Sequence, residues 1–128
     1  RLINAGVTIP GLQQGDPDRL VVEGYPGVLA RYLIGRRPYK AESRKGQTAD
    51  KHEARRDIMQ LTEAGKLQTH YGLSVSAPGS LAEDPTGDHL DALLCAIQAA
   101  WAWTMRDRNF GEPDQSDPLE GWIADPMP

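Results

Sequence analysis

Apolar residues recur three and four positions apart over residues 87–106, GDHLDALLCAIQAAWAWTMR, at Leu90, Leu93, Leu94, Ile97, Trp101 and Met105. That spacing lines one side of a 3.6-residue helix and predicts a long amphipathic helix. Over residues 19–25, RLVVEGY, the pattern is different: Val21, Glu23 and Tyr25 share one face and Leu20 and Val22 the other. Apolar side chains on both faces predict a strand inside a sheet covered on both sides. Pro26 suits the first position of a short helix with Val28, Leu29, Tyr32 and Leu33 inward and Gly35 past its end. A basic loop, RRPYKAESRKGQ, leads to Thr48, which caps a predicted helix over residues 49–64 with Ala54, Ile58 and Leu61 as its apolar stripe. Gly65 ends it. The segment LQTHYGLSVS reads as a short strand between loops, and Ala77-Pro78-Gly79 and Asp84-Pro85-Thr86-Gly87 are turn material. Residues 1–5 read as the end of a helix capped by Gly6, so the chain is expected to be the C-terminal part of a larger fold. The order helix, strand, helix, helix, long helix is α/β in character.

A length of 128 residues bounds the chain to one domain or a fragment of one. With 39% apolar and 25% charged residues it falls among ordinary globular chains. No apolar run approaches the roughly 18 residues of a membrane span, and no membrane partner is expected. The lone Cys95 excludes a disulfide within the chain and reads as a packing thiol of a reducing, cytoplasmic compartment. Charge changes the picture more. Residues 31–66 carry ten Lys or Arg against five acids, a local +5, while residues 83–125 carry ten acids against Arg106 and Arg108, a local −8. Such a split fits a basic groove beside an acidic metal site; it also fits a solvated helix followed by an acidic, loop-rich tail.

Two carboxylates open the long helix. Asp88 and Asp91 are three residues apart, so their Cβ atoms lie about 5–6 Å from one another on one face. Carboxylates so close repel, and a divalent cation relieves the repulsion; first-turn acids also simply complement the helix dipole, and Asp88 suits the N-cap. Glu23 stands among Val21, Val22 and Tyr25 near the carboxyl end of a strand, where ligands of open α/β sheets bind. Either it faces such a site, or it emerges into water or pairs with an arginine. His52, His70 and His89 lack zinc-type spacing. Cys95 has no activating pair, and Ser74, Ser76 and Ser80 belong to no nucleophile elbow.

Taken in order, VVEGYPGVLARYLIG, PYK, GDHLDALLCAIQAAWAW, EGWI and a terminal proline resemble the C-terminal half of the predicted RNase H-like nucleases grouped as domain-of-unknown-function family number 429. The D-x-x-D-A-L helix start is also similar to that of Holliday-junction resolvases. The resemblance implies a partial RNase H-like fold, with helices packed on a mixed sheet and the N-terminal strands absent from this chain. It implies that Glu23, Asp88 and Asp91 are catalytic and hold Mg²⁺ or Mn²⁺ for phosphodiester hydrolysis. Arg36, Arg37, Lys40, Arg44 and Lys45 would then track a nucleic-acid backbone. An aspartate that the superfamily carries on its first strand has no counterpart here, so these 128 residues alone are expected to be inactive. Open strand edges lead further to the expectation of a homo-oligomer or of pairing with the missing N-terminal half. A non-catalytic interaction module of the same fold is the alternative, and a small-molecule phosphohydrolase a third reading.

Overall fold

The computed structural model describes residues 3–117 and 119–126. Of the helix end expected over residues 1–5, Arg1 and Leu2 lie outside the described residues, as does the terminal Pro128; Ile3–Ala5 form one 3-10 turn. Val7–Thr8 (β1) and Asp16–Leu20 (β2) then pair in parallel, Val7 opposite Asp16 and Thr8 opposite Leu20, with an irregularity between. The strand expected over residues 19–25 is therefore displaced toward the N-terminus. Its second half meets sheet-like partners through Val21, whose N–H reaches the Thr8 carbonyl, and through a parallel bridge between Glu23 and Ile123. Alternating apolar residues report burial and not pairing, and β1 offers only two residues to pair with. Leu20, Val21 and Val22 are half-buried, and Val22 packs on the helical core. In place of a mixed sheet, the described residues form a small, unclosed parallel pair within a mostly helical α/β arrangement.

Pro26–Ile34 (α1) starts on its proline, and Gly35 caps it by donating its N–H to the Arg31 carbonyl. Ala49–Glu63 (α2) begins after Thr48, although the threonine hydroxyl makes no capping bond. Ala54 and Ile58 are fully buried as expected, and Met59 and Thr62 widen the stripe. The strand expected in LQTHYGLSVS is instead one helical turn, Gln68–Tyr71 (α3). Leu67 and Tyr71 are both buried four positions apart, a helical spacing that the β-rich residues after them obscured. The long helix is Asp88–Thr104 (α4).

α1 lies against both α2 and α4, and the 3-10 turn Gly79–Glu83 closes between α2 and α4. Leu29, Ile58, Leu90 and Leu94 meet there, wholly buried, each contributing roughly 1.5–3 kcal/mol through the area it removes from water. The tail is tied on by polar contacts. The Ala124 N–H donates to the Glu23 carbonyl at 2.8 Å. The Asp125 carboxylate accepts from the Tyr71 hydroxyl at 2.7 Å and from Gln98 Nε2 at 2.6 Å. Among the described residues, no helix is long and apolar enough to cross a membrane.

Candidate functional site

The start of α4 is organised by the loop before it. Gly87, with φ 82°, is the N-cap, and Asp88 is the first helical residue, contrary to the cap expected at Asp88. The first N–H groups of a helix have no partner within it. Here the Thr86 hydroxyl accepts from the Asp88 N–H at 3.3 Å, and Asp84 Oδ2 accepts from the His89 N–H at 3.1 Å. Asp84 also receives the Thr86 N–H and hydroxyl. Donation from the His89 N–H, followed by that from Thr86, holds the Asp84 carboxyl down to about 2. Asp84 rather than Asp88 thus does the capping. It was readable from the sequence as the first residue of D-P-T-G.

Asp91 faces back toward the basic loop. Its Oδ1 accepts the Tyr39 hydroxyl at 2.5 Å, and its Oδ2 pairs with the Lys40 ammonium. Burial, then the bond to Asp91, raises the Tyr39 phenol well above its ordinary range. The hydrogen bond to Asp91 likewise raises Lys40. Two features fix this geometry. The Arg55 guanidinium, 3% exposed on α2, donates from Nε to the Ala82 carbonyl and from a terminal nitrogen to the Tyr39 carbonyl, both at 2.8 Å. Gly87 lets the loop approach: a Cβ there would lie 2.8 Å from Lys40 Cβ.

These shifts set a pH profile. A depressed carboxyl such as Asp84 stabilises the fold above its unfolded value of 3.8, and that contribution is lost as pH falls toward 2. Tyr39, Lys40 and Tyr71, all raised, contribute fully below about pH 10 and lose their contribution as pH rises past it. Asp84→Ala is expected to cost about 1 kcal/mol near neutrality and to flatten the acid limb, read from urea unfolding at a series of pH values.

The remaining site residues predicted from sequence take no part in the bonds around Asp91. Asp88 is exposed, lines a shallow depression with Lys40, Glu42 and Thr86, and its carboxylate has no hydrogen-bond partner among the described residues. Glu23 is exposed and makes no ion pair among the described residues; its carbonyl, not its carboxylate, is engaged. Arg37 pairs with Asp57 at 2.6 Å, and Arg36, Arg44 and Lys45 are exposed. No group of three or more His, Cys, Asp or Glu able to hold a metal ion occurs among the described residues. As arranged, Asp91 has both oxygens committed to a phenol and an ammonium, a donor set that does not match Mg²⁺, which needs free carboxylate oxygens and several waters.

Glu23 belongs to a different feature, a groove of about 230 Å³ whose lining includes Ile9, Pro10, Val21, Val22 and Trp122. Glu112, Asp117 and Glu120 join Glu23 around it. Leu12 and Leu119 stand at its edge, 64% and 94% exposed. Sequence reading missed the groove, since it is assembled from three segments distant in the chain. It also missed Arg55, which looks like one more charge of a solvated helix, and the buried Gln98.

No curated protein and no solved structure matches the chain. The model of the family described as "Protein of unknown function (DUF429)" matches residues 10–115, a span that holds Tyr39, Lys40, Arg55, Asp88 and Asp91 together, and the chain belongs to that family.

Proposed function

We propose that the chain is a non-catalytic interaction module of RNase H-like fold, whose groove docks a partner-protein segment bearing a bulky apolar side chain flanked by lysines or arginines. The observation that carries this is the exposed pair Glu23 and Glu120 lining the groove with Ile9, Val21, Val22 and Trp122, while the carboxylates of Glu112, held by Asn109 and Ser116, and of Asp117, held by the Leu119 N–H, add charge beside them. Such a surface pairs with a cationic, apolar-tipped segment: the apolar lining supplies affinity by desolvation, and the carboxylates steer the partner and reject acidic ones. The Asp91 carboxylate then serves structure, through Tyr39 and Lys40. In titrations of the full chain, a short peptide with a central leucine between lysines should bind. Its counterpart with glutamates in place of the lysines should not. The pair Glu23→Lys and Glu120→Lys should weaken binding about tenfold. Equal binding of both peptides overturns the reading.

A second reading is divalent-ion-dependent phosphodiester hydrolysis. Favouring it, Asp88 carries a free carboxylate one turn from Asp91, with the basic segment from Arg36 to Arg56 alongside. Lys40 would have to release Asp91, and Asp88 and Asp91 would hold the ion, Glu23 lying in the groove instead. Bound there, Mg²⁺ or Mn²⁺ would supply an activated water and offset charge on the leaving oxygen. Nuclease assays with and without the ion separate the two readings.

A further inference from the structure

The C-terminal end of α1 carries a second, oppositely charged cavity. Arg31, Arg36 and Arg37 line a depression of about 380 Å³ whose floor is Gly27, Ala30 and Tyr39. Gly35 brings the three arginines together. Its φ of 69° and ψ of −148° turn the chain back on the helix, a conformation open essentially to glycine. The floor is stiff, since Tyr39 is buried and tied at both ends, by its hydroxyl to Asp91 and by its carbonyl to Arg55.

Charge and shape indicate what the cavity takes. Asp57 is the acid within ion-pair distance of these arginines among the described residues, and it engages Arg37. The C-terminus of α1 offsets roughly another half charge. About one and a half positive charges are left uncompensated, which matches the charge of a phosphate ester of about −1.5 to −2 at neutral pH. Guanidinium groups suit it further, because their planar forks bond two phosphate oxygens at once. Next to the arginines lies an aromatic ring. The Tyr25 ring covers Gly27, where a Cβ would meet it at 3.2 Å, yet the residue is 55% exposed. Its backbone is fixed by bonds from Val28 and Gln98 to its carbonyl. A largely exposed aromatic ring beside a cationic cavity is the pairing used to hold a base and its phosphate.

We infer that Arg31, Arg36 and Arg37 form a phosphate-binding site for a nucleotide unit whose base stacks on Tyr25. This site stands independently of the peptide groove and of any hydrolysis. The phosphate is a monoester, that of a free nucleotide or of the terminal unit of a strand, because an internal phosphodiester carries only one negative charge.

The test uses the full chain, with adenosine monophosphate, adenosine and inorganic phosphate as probes in calorimetric titrations. Adenosine monophosphate should bind more tightly than either fragment. The double variant Arg31→Gln with Arg36→Gln should bind it at least about tenfold more weakly, with an unchanged circular dichroism spectrum because both side chains are exposed. Tyr25→Leu should weaken adenosine monophosphate about tenfold while leaving inorganic phosphate unchanged. Arg106→Gln, a cation stacked on Trp103 at the other end of α4, should change nothing. A single-stranded oligonucleotide with a terminal phosphate should bind more tightly than one without, and its affinity set against that of adenosine monophosphate assigns the source to a strand end or a free nucleotide; equal binding of the two oligonucleotides overturns the assignment. Unchanged binding of adenosine monophosphate by either the arginine pair or Tyr25→Leu overturns the assignment, as does failure of all three probes to bind.

Discussion

Arg55→Met is expected to lower the stability of the chain by about 3 kcal/mol, the largest effect of any single polar substitution considered. Arg55 is buried, and its two donors serve carbonyls on two separate segments, Tyr39 in the basic loop and Ala82 in the turn before α4. Methionine fills a similar volume and donates nothing. Each carbonyl left without a partner costs about 1–3 kcal/mol. Relief from burying a guanidinium charge that has no carboxylate partner among the described residues offsets part of this, and the two unsatisfied carbonyls outweigh it. Arg55→Lys, with one compact donor group, should lose about half as much. Thermal unfolding measures both. The melting temperature of the methionine variant should fall by roughly 10 °C, and alkaline titration of its tyrosines should show Tyr39 moving back toward the ordinary phenol range.

Gly87→Ala comes next, at about 2–4 kcal/mol. Gly87 has φ 82°, a left-handed conformation that costs a residue with a Cβ about 1–2 kcal/mol. The new methyl would also stand 2.8 Å from Lys40 Cβ. That atom has nowhere to go, because the neighbouring Tyr39 is pinned by Arg55 and Asp91, so overpacking adds about 1–3 kcal/mol. Gly72→Ala separates the two causes. Gly72 has φ 64° with nothing within 4 Å of the Cβ position, so its alanine variant should lose only about 1–2 kcal/mol. Equal losses for the two variants would show that the contact with Lys40 does not matter.

How much of this was legible in the sequence depends on the range over which the signal is written. α4 and α1 were legible because their apolar spacing and their Pro26 and Gly35 boundaries are local. The strand near Val21 was misplaced because its alternation records half-burial, while the parallel partner consists of two residues from the far side of a loop. The strand expected in LQTHYGLSVS was wrong because Leu67 and Tyr71, the residues that pack, lie at helical spacing. Within the site, Asp88 and Asp91 were visible as a pair. What Asp91 does with its charge was not visible: Tyr39 and Lys40 lie about fifty positions away, and PYK stood out only through the family resemblance. Glu23 is exposed and lines a groove with carboxylates from the tail.

The central proposal is that the chain binds rather than cuts, with Asp91 serving as a structural node through Tyr39 and Lys40. The most direct measurement incubates the full-length protein with Mg²⁺ or Mn²⁺ and single-stranded, duplex and branched nucleic acids, comparing wild type with Glu23→Gln, Asp88→Asn and Asp91→Asn. Expected is no ion-dependent cleavage by any of the four proteins, with Asp91→Asn distinguished instead by lower stability. Ion-dependent cleavage by wild type that disappears in Asp91→Asn would contradict the claim.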